Sequence, residues 1–138
     1  MISFFVEEVP FVLKDKIRIK TWIKHVCLIY NKKPGTLNYI FCIDDYLLNI
    51  NKTYLNHDFY TDIITFDQSD SEDMIEGEIY ISIERVKENA ENNSVDFSLE
   101  LMRVIIHGIL HLIGFKDKTE EESKKMRLLE NQMLELIK

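Results

Sequence analysis

The alternation of hydrophobic and polar positions divides the chain into short strand-like runs and longer helix-like runs. Runs rich in β-branched and aromatic residues predict four strands, at residues 2–7, 37–43, 61–66 and 78–82. Apolar residues spaced three or four apart predict five helices, at residues 14–31, 44–54, 83–92, 97–113 and 119–136. This order favours an α+β fold with a mixed four-stranded sheet packed with about five helices, in one domain spanning residues 1–138.

The run at 97–113 is the most distinctive predicted helix, because apolar residues cover nearly its whole circumference. A helix of this kind is buried, so we expect it at the centre of the fold. Gly114 is the expected left-handed stop after it. Thr119 and Glu122 have the spacing of a capping box, which predicts the start of the last helix. The acidic, turn-prone stretch 67–78 predicts a surface loop.

Composition narrows the class of protein without changing this fold. Hydrophobic residues make up 46% and charged residues 30% of the 138, which is typical of a folded globular chain. No stretch is long and apolar enough to cross a bilayer, and the N-terminal run lacks the basic start of a signal peptide, so we expect a cytoplasmic protein without a membrane partner. Cys27 and Cys42 lie in apolar runs and are expected to be buried free thiols.

The charge balance limits how the chain could contact nucleic acid. A net charge of −7 excludes binding by bulk electrostatic attraction, because phosphates are bound through local Lys and Arg side chains. An RNA-binding role would therefore need a basic patch on an acidic surface. Lys116 and Lys118 belong to a candidate patch, and an ordinary solvated surface is the alternative interpretation.

The candidate chemistry begins with two histidines on the predicted central helix. His107 and His111 are four residues apart, so their imidazoles lie on one face of the helix, one turn apart. This spacing lets both rings reach one metal ion, and neutral imidazole nitrogen is a preferred zinc ligand. The alternative for each ring alone is a hydrogen-bonded core histidine.

Asp117 is the candidate third ligand, because the helix ends at Gly114 and the chain can turn back toward the imidazoles. Three protein ligands leave a fourth position for water, which is the pattern of a catalytic zinc site rather than a structural one. Such an ion would lower the pKa of its water to about 7. Asp117 could instead cap the final helix or pair with Lys118.

Gly108 occupies the position where zinc peptidases with an HExxH motif carry their general base. Its presence removes that base and costs about 1 kcal/mol relative to Ala inside a helix. Two interpretations remain open: some group must approach the helix closely, or the helix packs tightly against a strand. Either one disfavours peptidase chemistry.

Three segments together carry a resemblance to a known family. HGILHLIGFKD, from His107 to Asp117, resembles the HGxLHLxGYDH signature of the YbeY family. DFYTDIITF, from Asp58 to Phe66, is similar to the family's DxPTDVLSF strand, and GEIYIS from Gly77 is similar to its GDIVI strand. The segments follow each other in the family's order and span about the second half of the chain.

This resemblance implies a metal-dependent endoribonuclease, specific for single strands, that acts in rRNA processing at the 3′ end of small-subunit rRNA and in ribosome quality control. It implies one zinc ion held by His107, His111 and Asp117, with rRNA and the small ribosomal subunit as partners and no role for DNA. The residues themselves identify no general base. His57 is the one candidate for a catalytic side chain, and the alternative is that it is an exposed turn residue.

Two positions depart from the family pattern. Asp117 stands where the family has a third histidine, and its negative charge should make the bound water less acidic than in a three-histidine site. Leu55 stands where the family has an arginine. If that arginine holds phosphate, His57, Lys52 or Lys116 could replace it. Lys52, Lys116 and Lys118 are therefore the RNA-binding candidates.

Two other functions remain open from the sequence. The first is a ribosome-assembly factor that binds RNA and uses its metal mainly for structure, which the loss of the arginine at Leu55 and the acidic charge favour. The second is a metallopeptidase, which Gly108 disfavours. A cleavage assay on single-stranded RNA separates the first from a nuclease.

Overall fold

The computed structural model describes residues 1–138 and contains four strands and five helices. In chain order they are β1 (Ile2–Val6), α1 (Lys16–Ile29), β2 (Lys33–Cys42), α2 (Asp44–Leu55), β3 (Ile63–Asp67), β4 (Met74–Ser82), α3 (Ile83–Asn92), α4 (Phe97–Ile113) and α5 (Glu120–Leu134). The predicted fold class, α+β with a mixed four-stranded sheet and five helices, is confirmed.

The four strands form one sheet in the order β1-β2-β4-β3. β1 pairs with β2 and β2 pairs with β4 in parallel, whereas β3 pairs with β4 in antiparallel fashion at the edge. Parallel neighbours need a crossover, and α1 supplies it between β1 and β2. β3 therefore lies at one edge of the sheet, beside the central strand β4 and facing α4.

α4 is the central helix, as its apolar circumference predicts. Ile105, Ile106 and Ile109 are fully buried in the main core. The helix contacts β3, β4, α1, α3 and α5. The buried hydroxyl of Tyr39 on β2 donates a hydrogen bond of 2.9 Å to the carbonyl of Ile105, which ties helix and sheet together. The side of α4 that carries the histidines remains partly open.

Gly108 packs against the sheet. A Cβ atom at this position would lie 3.0 Å from Ile79 Cγ2 and 3.1 Å from Ile63 Cδ1. Both distances are shorter than ordinary van der Waals contact, so the absence of a side chain lets α4 approach β3 and β4. Of the two interpretations of this glycine, tight packing against strands is the one that the structure bears out.

Two strands begin four residues earlier than the sequence predicts. β2 begins at Lys33 rather than 37, and β4 begins at Met74 rather than 78. Pro34 and Gly35 suggest a turn, but the register of β2 shifts between Pro34 and Leu37, and this irregularity accommodates them within the strand. The predicted acidic loop is correspondingly shorter.

The inward face of α1 also differs from its prediction. Helical periodicity predicts Ile17, Trp22, Ile23, Val26 and Ile29 to point inward. Trp22, Ile23 and Val26 are buried, but Ile17 and Ile29 are exposed by 83% and 45%, so these two predictions are wrong. The buried stripe instead includes Ile19 and Cys27. Ile17 lies in the first turn, outside the stripe that faces the sheet.

Both cysteines belong to the interior. Cys27 and Cys42 are buried free thiols, as expected, and burial raises their pKa to about 11 and about 12. Neither cysteine belongs to the group of side chains that could hold a metal ion. None of the helices combines the length and apolarity needed to span a lipid bilayer.

We predict that Gly108→Val destabilises the protein by about 1–3 kcal/mol, because the new side chain must displace Ile79 and Ile63 from a close-packed contact. The urea midpoint of unfolding measures this effect. Ser98→Val, at an exposed position of the same helix, is the matched control and should change stability by less than about 0.5 kcal/mol. Equal midpoints for the two variants would contradict the packing role of Gly108.

Candidate metal centre and its cleft

His107 and His111 share the partly open face of α4. Their ring centroids are 4.5 Å apart and the rings are nearly perpendicular, with an interplanar angle of 80°. The side chains retain 17% and 26% of their exposure, so both are largely shielded but reachable. The four-residue spacing therefore brings the two imidazoles together as predicted.

Asp117 returns to these rings because α4 stops at Gly114. Gly114 has a φ of 124°, a value that favours glycine, and its N–H donates to the carbonyls of Leu110 and His111. Three residues later, Asp117 Oδ2 lies 3.3 Å from His107 Nε2 and 3.4 Å from His111 Nε2. The structure thus places all three candidate ligands at one point.

The spacing of these atoms fits a metal ion. Ligand atoms about 2.0–2.1 Å from a tetrahedral zinc ion lie about 3.3–3.4 Å from one another. The two distances to Asp117 Oδ2 agree with that value, and all three ligand atoms lie within 4.8 Å of one another. Two imidazole nitrogens and one carboxylate oxygen are also a donor set that suits zinc. The group can therefore hold a metal ion.

The three side chains line a cleft of about 430 Å³ between α4, α5 and the start of β3. Most of its lining is polar. Besides the three candidate ligands, the wall includes Thr61, Asp62, Glu100, Arg103, Arg127 and Glu130. An ion held by three protein ligands at this wall would keep a side open to the cleft, where a substrate could approach.

Glu130 lies directly behind His107. The Nδ1–H of His107 donates to Glu130 Oε2 at 2.6 Å, a short charge-assisted bond. An ionised carboxylate only accepts hydrogen bonds, so Glu130 fixes the proton of His107 on Nδ1. The lone pair of His107 Nε2 is then free on the side where Asp117 and His111 meet it. Arg103 donates to the other oxygen of Glu130 at 3.1 Å. Carboxylate partners of this kind orient metal-binding histidines.

Burial and hydrogen bonding shift the pKa values of His107 and Glu130 in opposite directions. Burial disfavours the imidazolium of His107, but the hydrogen bond and charge of Glu130 outweigh it and raise the pKa of His107. Burial likewise favours a neutral Glu130, but the bonds from His107 and Arg103 outweigh it and lower the pKa of Glu130. Glu130 is therefore a buried carboxylate that stays ionised.

The pKa values of His111 and Asp62 respond mainly to burial. Burial and the neighbouring His107 lower the pKa of His111, which favours the neutral imidazole that a metal requires. Across the cleft, burial raises the pKa of Asp62. Asp62 belongs to the DFYTDIITF segment, and its carboxylate accepts a hydrogen bond of 3.3 Å from Asn89.

Sequence reasoning missed Glu130, Arg103 and Arg127 as members of this site. A signal for Glu130 was present, because it falls in the inward stripe of α5 between Met126 and Met133, all of them buried. A carboxylate in such a stripe needs a partner. Arg103 lies one turn before His107 on α4 and therefore shares its face.

The remaining sequence candidates lie outside the cleft. Lys52 pairs with Asp58 at 3.4 Å, and His57 stacks on Phe59 with ring centroids 5.2 Å apart. Lys116 and Lys118 are exposed on either side of Asp117. None of these four residues lines the cleft that holds the candidate metal ligands.

Comparison with known sequences agrees with the motifs. A sequence profile of the family described as Endoribonuclease YbeY matches residues 8–138, nearly the whole chain. The chain belongs to the YbeY family. The predicted resemblance is thereby confirmed, and it extends over the first half of the chain, where the motifs alone could not test it.

Several YbeY-family relatives are similar over almost their full length. Endoribonuclease YbeY of Flavobacterium psychrophilum is 50% identical over 137 residues, covering 99% of this chain and 96% of the relative. The protein of the same name from Cytophaga hutchinsonii is 47% identical with the same coverage. Among solved structures, the solution structure of TM1509 from Thermotoga maritima matches with a TM-score of 0.69 and 28% identity, covering 99% of this chain and 89% of that one.

We predict that Glu130→Gln weakens zinc binding about 10- to 100-fold, because the amide cannot replace the charged acceptor that orients His107. Competition against a chromophoric chelator measures the dissociation constant. Glu135→Gln, at an exposed position directly after α5 where the carboxylate pairs only with Lys138, is the control and should bind zinc like the wild type. Equal affinities for the two variants would show that Glu130 does not orient the site.

Proposed function

We propose that this chain is a metal-dependent endoribonuclease that cleaves single-stranded RNA. The observation that carries the proposal is the His107, His111 and Asp117 group, which opens onto a polar cleft in a chain of the YbeY family. Relatives named Endoribonuclease YbeY cover the chain almost completely, which supports the same activity here. We further propose that residues 1–138 act as one domain.

Zinc is the metal that we propose for the site, because its donors are two imidazoles and one carboxylate in a three-ligand arrangement. When bound, the ion supplies a Lewis acid for the phosphoryl oxygen and an acidified water. The protein's own part is orientation. Glu130 holds His107, Gly114 turns the chain, and Asp117 completes the group from the following loop.

We assign phosphate binding in the cleft to Arg127 rather than to Arg103. Arg103 is half of a buried pair with Glu130, but the side chain of Arg127 is 58% exposed and lies 3.8 Å from the same carboxylate. It therefore keeps donors free for a phosphate, which a planar guanidinium binds well. Lys52, Lys116 and Lys118 lie farther out, where they could contact the flanking backbone. His57 lies outside the cleft, and we assign it no proton transfer.

For the biological substrate we propose rRNA, processed at the 3′ end of the small-subunit molecule and in ribosome quality control, with the small ribosomal subunit as partner. This part rests on the family resemblance. Action on ribosomes would place the protein in the cytoplasm. The net charge of −7 fits a substrate held by local contacts and by a metal ion rather than by a basic surface, and we propose no DNA or membrane partner.

One observation favours a second candidate, a ribosome-assembly factor that binds RNA without cleaving it. Leu55 takes the place of the family's arginine and is 39% exposed at the end of α2, so no cation stands there. In that case the metal would serve mainly to hold Asp117 and α5 against α4.

We predict that His111→Ala loses its metal and reduces cleavage of single-stranded RNA to background, because one of three ligands is missing. His25→Ala, an exposed histidine on α1, is the matched control and should cleave like the wild type. Elemental analysis measures the retained metal, and a gel assay in buffer containing zinc gives the rates. Background rates in wild type and variant alike, with RNA binding retained, would contradict the nuclease and support the assembly factor.

We predict that Arg127→Ala weakens RNA binding and makes the slope of log affinity against log salt shallower by about 0.7, the value for one phosphate contact on a single strand. Binding titrations over a range of salt concentrations measure the slope. Lys24→Ala, an exposed cation on α1, removes the same charge away from the cleft and should leave the slope unchanged. The same slope for Arg127→Ala as for the wild type would rule out a phosphate contact.

A further inference from the structure

Exposed aromatic side chains are concentrated at the end of α2 and in the segment that joins α2 to β3. Four Phe and Tyr side chains are exposed by half or more: Phe5 50%, Tyr54 70%, Phe59 54% and Tyr60 51%. Three of the four lie within residues 54–60. Isolated exposed apolar residues are normal, but a cluster of aromatic ones marks a surface that contacts something.

This segment leads directly into the cleft. Phe59 and Tyr60 are followed by Thr61 and Asp62, which line the cleft beside the candidate metal ligands. Consecutive Cα atoms are about 3.8 Å apart, so the Cα of Phe59 lies within about 8 Å of the cleft wall at Thr61. A chain entering the cleft from this side would pass over the exposed rings.

Buried and polar contacts hold the segment in place. Asn51, which is 2% exposed, donates from Nδ2 to the carbonyl of Phe59 at 3.0 Å, and its own carbonyl accepts from the N–H of His57 at 3.1 Å. The Tyr60 hydroxyl donates to Asp45 at 3.2 Å. The backbone that carries the rings is thus held before any ligand arrives, which lowers the entropic cost of binding.

The rings offer stacking surfaces rather than charge. His57 and Phe59 stack at 5.2 Å with an interplanar angle of 23°, and together they form what we call the aromatic platform. Asp58, which lies between the two rings in sequence, pairs with Lys52 of α2 at 3.4 Å. Tyr60 already carries the guanidinium of Arg85 over its ring, at 5.3 Å. Between the end of α2 and the start of β3, the platform is therefore the part whose exposed aromatic area is not already covered by another side chain.

We propose that the aromatic platform of His57 and Phe59 stacks on an unpaired nucleobase of the RNA whose backbone enters the cleft. This inference rests on the proposed function. Every base has a π face, so such stacking tolerates different sequences, and a base inside a duplex cannot offer its face. The platform thereby gives the cleft a preference for single strands without reading sequence.

The test compares Phe59→Ala with Phe5→Ala in the full-length, zinc-loaded protein. Phe5 is 50% exposed, close to the 54% of Phe59, but lies on β1, at the opposite edge of the sheet from β3. Anisotropy titrations use a labelled short single-stranded RNA, read before cleavage is visible on a gel. A strand of abasic ribose phosphates of the same length is the second probe.

We expect Phe59→Ala to bind the RNA roughly 5- to 100-fold more weakly, the loss that corresponds to one base stacked on an aromatic ring. Phe5→Ala should bind like the wild type, and Phe59→Tyr, which keeps a ring, should restore binding. Phe59→Leu keeps apolar area without a π face and should stay weak. All variants should bind the abasic strand equally, because it offers no base.

Equal RNA affinities for Phe59→Ala and Phe5→Ala would overturn the platform, and so would an equal loss toward the abasic strand. Either result, obtained with a wild type that cleaves RNA, would leave the proposed function standing. A wild type that neither binds nor cleaves single-stranded RNA would overturn both.

Discussion

The short hydrogen bond between His107 and Glu130 is the interaction on which the arrangement of this molecule depends. It joins α4 to α5 across 23 residues of sequence at 2.6 Å. A buried carboxylate is costly unless it is paired, and Glu130 meets this requirement with His107 on one oxygen and Arg103 on the other. The same contact that satisfies the interior therefore orients a candidate metal ligand.

Fold and site are consequently built from the same contacts. Gly108 lets α4 approach β3 and β4, which sets the depth of the helix, and its neighbour His107 then faces the cleft. Gly114 ends the helix and returns the chain, so that Asp117 lies within 3.4 Å of both imidazoles. A carboxylate can be a zinc ligand in place of the family's third histidine, and the loop after Gly114 sets its position.

The sequence predicts what depends on local pattern. Full apolar periodicity gives α4 its bounds, Thr119 and Glu122 form the expected capping box, and the spacing of the histidines places them together. Features that depend on residues far apart in the sequence cannot be predicted from local pattern. β2 and β4 pair with each other at their starts, although the propensity near Pro34 indicates a turn. The partner of Glu130 is likewise set only when α4 and α5 pack together.

The central claim is that His107, His111 and Asp117 hold one zinc ion. Elemental analysis with X-ray absorption on the purified protein, beside the His111→Ala/Asp117→Ala double variant, tests it most directly. The account predicts about one zinc per wild-type chain, with nitrogen and oxygen neighbours at about 2.0–2.1 Å and no sulfur, and no retained zinc in the double variant. A double variant that keeps stoichiometric zinc, or a wild-type spectrum with sulfur ligands, would contradict it.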